Sequence, residues 1–169
     1  MSLTTSKTIR ISKALIVLTV GLLALVVVIG NTTDYNTNFQ FIKHVLSMDN
    51  VDKVQDNTIA YRAISSVWFQ HFSYICIILV EALIMFLCLK GGIDMLRKTN
   101  ASADEFHEAK KLGILGLTAC CLLWFFGFQV VAGEWFGMWM NSIWNGLPDA
   151  FRLVTYQAIA LVYITLKND

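Results

Sequence analysis

The chain has 169 residues, of which 56% are hydrophobic and 15% are charged. Because ordinary soluble domains carry about 25% charged residues, this composition predicts a protein embedded in a membrane. The net charge of +1 and the scattered Lys and Arg residues argue against the basic patch that nucleic-acid binding needs. No internal repeat divides the sequence, so we expect one integral-membrane domain over residues 1–169.

Four apolar segments are long enough to cross a bilayer as helices, at about 20 residues per crossing. They cover residues 14–30, about 64–89, 112–132 and about 148–166. No signal-peptide cleavage site follows the first segment, so we expect it to be retained as an anchor. We expect the second segment to stop at Lys90-Gly91-Gly92, and Pro148 to occupy the first turn of the fourth helix. The predicted fold class is an all-α, four-helix transmembrane bundle.

Two connecting segments carry further helical patterns. The segment from Asn31 to Ala63 is longer than the roughly 2 to 8 residues that usually connect helices in bundles. After Asn38, a possible N-cap, apolar residues recur at helical spacing; they are Phe41, Ile42, Val45, Leu46 and Met48. We predict a short amphipathic helix here that covers the outer ends of the bundle, in preference to a ligand lid. A second helical start follows Ser102 and continues into the third span.

The distribution of basic residues predicts the orientation of the chain. Nine Lys and Arg residues flank one side of the four spans, namely Lys7, Arg10, Lys13, Lys90, Arg97, Lys98, Lys110, Lys111 and Lys167. Four flank the other side, namely Lys43, Lys53, Arg62 and Arg152. Because cytoplasmic segments carry the excess of Lys and Arg, we expect both termini in the cytoplasm. Trp68, Trp135, Trp139 and Trp144 fall on the opposite face, where tryptophan belongs at the headgroup level.

An acidic residue lies within the second span. Glu81 interrupts the apolar run from Ile75 to Leu89, and an ionisable side chain at membrane depth is costly unless it is neutralised or paired. At the same depth the other helices present Gln157 and Thr118, and no Lys or Arg. We therefore expect Glu81 to be protonated or hydrogen-bonded, with Gln157 as its partner.

Glu81 shares one side of its helix with other polar residues. Gln70, Tyr74, Glu81 and Cys88 fall within about 40° of one another, because steps of four and seven residues nearly complete whole helical turns. We favour an interhelical hydrogen-bond clasp as the role of this polar layer. The alternative is a path for a proton or a substrate.

Small residues in the spans predict close packing. Gly113 and Gly116 on the third span, with Gly21 on the first, would let helix backbones approach, which favours contact with a partner helix over a wide pore. All four cysteines lie inside apolar segments, at positions 76, 88, 120 and 121. This placement is typical of small hydrophobic residues rather than of a disulfide framework.

A second polar cluster is predicted at the outer surface. It contains His71, Glu134, Arg152, His44, Asp34 and Gln129. We expect Glu134 and Arg152 to form an ion pair between the third and fourth helices, because Arg152 near hydrocarbon needs an acidic partner. The alternative is a zinc or copper site with His44, His71, Glu134 and Asp34 as ligands, since imidazole and carboxylate suit these metals. The spacing lacks a His pair at i and i+4 and any Cys-x-x-Cys sequence, so we predict no metal and no cofactor.

Several segments together resemble a known family. They are Asn31, Asp34, Tyr35, Asn38, Phe39 and Phe41, then His44-Val45-Leu46-Ser47-Met48-Asp49, Glu81-Ala82-Leu83, Gly133-Glu134-Trp135-Phe136 and Trp144-Asn145-Gly146. Over nearly the whole chain the sequence is similar to a bacterial family of predicted small integral membrane proteins, domain-of-unknown-function family 2165. The resemblance implies a four-helix protein of the bacterial inner membrane. The family has no established activity, so the resemblance assigns no catalytic residue.

The sequence favours a non-enzymatic accessory, assembly or scaffold subunit that holds a larger membrane partner. Four short helices enclose little volume, which argues against an active site of their own. The alternative is a small proton-coupled transporter or channel that works as a homo-oligomer, with Glu81 as the titrating group and the outer polar cluster as its vestibule. A membrane enzyme or metal-binding protein that uses the outer polar cluster is a third class.

Overall fold

The computed structural model describes residues 4–49, 51 and 59–167, and the regular structure within them is helical. The α-helices are α1 (Thr5–Thr33), α2 (Tyr35–Ser47), α3 (Val67–Arg97), α4 (Ala103–Ala109), α5 (Lys111–Leu122) and α6 (Leu147–Thr165). A π-helical segment, Leu123–Trp135, continues α5, and 3-10 turns cover Ala60–Arg62 and Met138–Met140. The all-α prediction is confirmed for the described residues. We call the end of the molecule near α2 the outer end and the end near α4 the inner end.

Three of these helices are long and apolar enough to cross a membrane. They are Thr5–Thr33, Val67–Arg97 and the continuous helix Ala103–Trp135. Helix α6 has 19 residues, enough for a crossing, but Asp149, Arg152 and Gln157 lower its hydropathy and it is not among the three candidates. A membrane crossing by α6 therefore stays a prediction.

Helix α3 continues through the glycines that were expected to end it. The helix runs to Arg97, and Gly91 and Gly92 are buried inside it. A Cβ atom on Gly91 would overlap the backbone nitrogen of Gly113 on α5, and one on Gly92 would lie 2.5 Å from the Leu18 side chain on α1. The predicted stop was wrong because these glycines provide close contact with two neighbouring helices rather than a turn.

The other glycines of the spans are also used within the chain. A Cβ on Gly116 would lie 2.5 Å from the Cys88 sulfur, and one on Gly21 would lie 2.8 Å from the backbone nitrogen of Leu89. The close-packing prediction holds, but its assignment to a partner helix was wrong. The glycine side of α5 is occupied by α3 and α1, so it offers no surface to another protein.

Three of the basic residues counted for orientation are buried at the inner end. The Arg10 guanidinium donates to the Ala101 carbonyl at 2.6 Å, and Lys13 and Lys110 donate to the Leu166 carbonyl at 2.6 and 3.2 Å. Backbone carbonyls at helix C-termini carry partial negative charge and attract cations. Lys13 and Lys110 therefore tie the C-terminal end of α6 to α1 and α5, and Arg10 ties α1 to the segment between α3 and α4.

The predicted amphipathic helix at the outer end is present as α2. It begins directly after α1, with Asp34 between the two helices, so Asn38 lies inside α2 and is not its N-cap. Its apolar side is buried at Phe39 and Val45, and the latter packs with Met138 in an outer hydrophobic cluster. Burial of this apolar side explains why a short helix is stable here.

The third span departs from ordinary helix geometry in its outer half. From Leu123 to Trp135 the backbone is π-helical, and the Phe136 amide donates to the Val131 carbonyl, five residues back, at 3.1 Å. The sequence predicted a continuous α-helix for this span. π-Helical geometry is rare and usually limited to single-turn bulges, which frequently occur at functional sites, so the outer half of the third span is unusual in its length of π-helix.

Candidate functional site

The acidic residue of α3 is paired with an asparagine of α1. Glu81 is buried, and the Asn31 side-chain nitrogen donates to its Oε2 at 2.6 Å. Asn31 lies in the last turn of α1, close to the outer end. The predicted partner, Gln157, is not the one found, because α1 extends beyond the predicted span and α1 and α3 run antiparallel. With Gly21 beside Leu89, the residue facing Glu81 falls near position 29 to 31, and this register between the two helices is set by tertiary contacts that the sequence does not show.

A second contact joins the same two helices. Tyr74 lies on the same side of α3 as Glu81, about two turns toward the outer end, and its hydroxyl donates to the Asn31 backbone carbonyl at 3.3 Å. Asn31 therefore receives a hydrogen bond at its backbone and donates one from its side chain. Together Tyr74, Asn31 and Glu81 form a polar clasp between α1 and α3, which we call the Asn31 clasp.

The remaining members of the predicted polar layer lie apart from the Asn31 clasp. Gln70 is buried near the outer end, where its side-chain nitrogen donates to the Ile64 carbonyl at 2.8 Å. Cys88 is buried against Gly116. Thr118, which was assigned to the polar layer by its depth, is exposed and does not join buried Glu81 and Gln157.

A small central cavity brings Glu81 and Gln157 to a common space. The cavity has a volume of about 80 Å³, and its walls come from α1, α3, α5, α6 and the π-helical segment. Gln157 is 2% exposed, and its Oε1 atom has no hydrogen-bond partner among the described residues. The lining is otherwise almost wholly apolar and contains no Lys or Arg. Glu81 and Gln157 therefore share a cavity large enough for about two or three water molecules, and within the described residues Glu81 is supported by the neutral Asn31 amide.

The residues of the outer polar cluster fall into separate groups. Nδ1 of His71 lies 2.8 Å from the Tyr35 hydroxyl, and the His71 ring stacks on Phe39 at 3.9 Å between ring centres. Burial raises the pKa of the Tyr35 phenol, so this hydroxyl stays protonated and can donate to His71. His44 instead pairs with Asp49 at 2.8 Å. The two histidines therefore serve different contacts.

The predicted ion pair across the third and fourth helices is not formed. Arg152 pairs with Asp149 on its own helix at 3.0 Å, and both side chains are mostly exposed. Glu134 is exposed, and its backbone carbonyl lies 3.5 Å from Arg62. The error has a simple cause, since Asp149 lies one helical turn before Arg152 and is the nearer acid.

The last two residues of the predicted outer polar cluster, Gln129 and Asp34, lie apart from each other. The Gln129 side-chain nitrogen donates to the Leu147 carbonyl at 3.2 Å, which joins the π-helical segment to the start of α6. Asp34 is exposed between α1 and α2, and it makes no side-chain capping bond to α2. No group of three His, Cys, Asp or Glu residues able to hold a metal ion is found in the described part of the chain.

A larger apolar groove was not predicted. It has a volume of about 510 Å³ and lies between α2, the outer half of α3 and the π-helical segment. Lining residues include Phe41, Val45, Phe72, Ile77, Phe128 and Trp135. Glycine contacts hold α3 close to α5 in the inner half, and the groove lies beyond them, between α3 and the π-helical segment that continues α5. Hydrophobic periodicity indicates which side of one helix is buried and not how far apart two helices lie, so it could not predict the groove.

The chain matches a known protein family over most of its length. A family model described as predicted small integral membrane protein (DUF2165) matches residues 9–167. Neither the curated proteins nor the solved structures contain a match to the chain. The matched range includes the Asn31 clasp, the central cavity and the apolar groove, and the three long apolar helices agree with the family description. The chain therefore belongs to this family of small integral membrane proteins.

Proposed function

We propose that the protein is a non-enzymatic accessory, assembly or scaffold subunit of a larger complex in the bacterial inner membrane. The observation that carries this proposal is the outward side of α6. Arg152 and Asp149 form an ion pair there with side chains 62% and 70% exposed, on a helix whose other side packs against the rest of the chain. Charged residues within membrane helices face protein or water in preference to lipid.

The same side of α6 has the features of a contact surface. Phe151, Ile159 and Val162 are each more than 60% exposed, while Thr155 and Ala158 between them are small enough to allow close helix approach. A partner helix on this side would cover the large apolar side chains and the ion pair together. The inner-half glycine contacts support the proposal indirectly, because tight packing there leaves little room for a path through a single chain.

The proposed arrangement has four membrane-crossing helices, α1, α3, the third long helix and α6, with both termini in the cytoplasm. The nine-to-four distribution of basic residues supports this orientation. The inner-end cations Arg10, Lys13 and Lys110 would then lie on the cytoplasmic side, and α2 would cover the periplasmic end.

Purification from the native membrane in a mild detergent tests this role. We expect a second membrane protein to co-elute with the wild-type chain in a fixed ratio, as identified by mass spectrometry. Val162→Trp on α6 should abolish co-elution by filling the contact side, whereas Val26→Trp on α1 should not. The two valines are a matched pair, 62% and 66% exposed. Equal co-elution of both variants, or elution of the wild type without another protein, would contradict the proposal.

The central cavity favours a second candidate, a small proton-coupled transporter or channel that works as a homo-oligomer. The specific observation is that the buried Glu81 carboxyl and the Gln157 amide oxygen, which has no partner within the described part of the chain, line one cavity between the helices. A homo-oligomer without other subunits, with proton flux in vesicles that Glu81→Gln removes, would support this candidate over the accessory subunit.

A further inference from the structure

The apolar groove has one long open side and a closed outer end. Helix α2 closes the outer end, with Phe41 and Val45 in the wall, and the bottom lies at Leu123 and Ile77. Between α3 and the π-helical segment the groove borders exposed apolar side chains, including Phe72 at 62%. In a membrane protein such a side faces the acyl chains of the bilayer.

The dimensions of the groove suit an acyl chain better than a helix. One turn of α-helix, about 10 Å across and 5.4 Å long, occupies roughly 400 Å³, so 510 Å³ has room for little more than one turn. Along α3 the groove extends from Phe69 to Ile77, which is about 12 Å at 1.5 Å per residue. A single leaflet of hydrocarbon is about 15 Å deep, half of a roughly 30 Å core.

A cation lies at the outer rim of the groove. The Arg62 guanidinium is 4.6 Å from the centre of the Trp135 ring, and Trp135 and Ile64 both line the groove. Its Nη1 atom lies 3.3 Å from the Trp135 carbonyl and 3.5 Å from the Glu134 carbonyl. These are long contacts to neutral groups, so the guanidinium keeps donors for an anion, and arginine is well suited to phosphate.

From these observations we propose that the groove binds one phospholipid, with an acyl chain between α3 and the π-helical segment and the phosphate on Arg62. The apolar walls, the leaflet-like depth and the positive rim match the two parts of the lipid. The site is on a different side of the molecule from the α6 surface, so this inference stands or falls independently of the proposed function.

Two glycines provide a matched test of the groove. Gly127 lies in the groove wall. Among the residues that the structure describes, a Cβ on Gly127 would meet only Leu123, at 3.8 Å, and a Cβ on Gly30 of α1 would meet nothing within 4 Å. Gly127→Phe should therefore fill the groove, while Gly30→Phe adds the same side chain elsewhere. After purification in mild detergent, native mass spectrometry should show one retained phospholipid per chain for the wild type and Gly30→Phe, and loss of it for Gly127→Phe.

Detergent melting temperatures establish that each variant is folded. If Gly127→Phe does not fold, Ser73→Leu, which narrows the groove from α3, replaces it with the same expected loss. Retention of the lipid in a folded groove-filling variant at the Gly30→Phe level would overturn the proposal. Discovery of a polypeptide segment in the groove in place of lipid would also overturn it.

The phosphate contact is tested with delipidated protein. Wild type should bind phosphatidylglycerol about tenfold or more tightly than diacylglycerol with the same acyl chains, because a charge-assisted hydrogen bond is lost with the phosphate. Arg62→Gln should reduce this ratio toward one without weakening diacylglycerol binding. Equal binding of the two lipids by the wild type, or an unchanged ratio in Arg62→Gln, would show that the phosphate does not lie at Arg62.

Discussion

Glu81 is stabilised at membrane depth by neutral groups. Its described partner is the Asn31 side-chain amide, and Tyr74 holds the Asn31 backbone from the same helix as Glu81. A hydrogen bond between membrane helices contributes about 0.6 to 2 kcal/mol. Removing one partner costs more than this when the other polar atom is left buried without a hydrogen bond. The Asn31 clasp is therefore expected to hold the outer halves of α1 and α3 together.

We expect Glu81→Gln to be tolerated and Glu81→Ala to be destabilising. The amide oxygen of glutamine can accept the hydrogen bond from Asn31, whereas alanine leaves the Asn31 amide without an acceptor and enlarges the central cavity. The expected difference is about 1 to 3 kcal/mol, measured as thermal unfolding in detergent. Asn31→Ala should resemble Glu81→Ala, and the double variant should cost less than the sum of the two. Equal losses for Glu81→Gln and Glu81→Ala would contradict the Asn31 clasp.

We expect Arg152 to be coupled energetically to Asp149, one helical turn away on α6, and not to Glu134. Glu134→Gln and Arg152→Gln should be additive in unfolding free energy to within about 0.3 to 0.5 kcal/mol, because the Arg152 side chain pairs with Asp149 and the Glu134 side chain is exposed. Asp149→Asn combined with Arg152→Gln should show coupling below about 1 kcal/mol, as for exposed ion pairs. A double-mutant cycle with coupling above that level between Glu134 and Arg152 would show that they touch in the membrane.

At the scale of the helix, glycine contacts determine how the inner halves of α1, α3 and α5 pack. Gly91 lies against the Gly113 backbone, where the neighbouring atoms cannot move aside as the end of a long side chain could. The usual gain in helix propensity on replacing glycine by alanine, about 1 kcal/mol, therefore competes with a backbone clash. In a packed interior the clash is expected to dominate.

Gly91→Ala should therefore lower stability by about 1 to 3 kcal/mol. The control is Gly30→Ala on α1, where a Cβ meets nothing within 4 Å and the helix propensity gain should remain. Thermal unfolding of both variants in the same detergent measures the difference. Stabilisation by Gly91→Ala would mean that α3 and α5 lie further apart than the structure places them.

At the scale of the whole molecule, the two ends are different in character. Buried cations and helix-end carbonyls occupy the inner end, while aromatic residues, α2 and the apolar groove occupy the outer end. In membrane proteins Lys and Arg are in excess on the cytoplasmic side, whereas tryptophan is enriched at both interfaces, so the cations carry the signal for orientation. The asymmetry makes the orientation of the protein directly testable.

A membrane-impermeant thiol reagent applied to intact cells should label Thr37→Cys and leave Asn100→Cys unlabelled. Both positions are exposed, Thr37 on α2 and Asn100 between α3 and α4. After the cells are broken open both should react, which controls for accessibility. Labelling of Asn100→Cys alone in intact cells would reverse the orientation and place α2 and the apolar groove on the cytoplasmic side.

Much of the helical structure was predictable, because helical periodicity is a local property of the chain. The spacing of Gln70, Tyr74, Glu81 and Cys88 placed them on one side of α3, and all four are buried. The apolar spacing after Asn38 similarly predicted α2. Where glycine was interpreted locally, as a helix stop at Gly91 and Gly92, the prediction failed, since the use of a glycine depends on what packs against it.

Composition and periodicity alone determined that this is a helical membrane protein with a polar side on its second long helix and an amphipathic helix at one end. Only the tertiary structure decided that Asn31 is the partner of Glu81, that Arg152 pairs with Asp149 and that a groove opens beside the π-helical segment. The physical reason is register. Which side chains meet across two helices depends on the relative position of those helices, and contacts such as Gly91 with Gly113 and Gly21 with Leu89 fix that position between residues far apart in the chain.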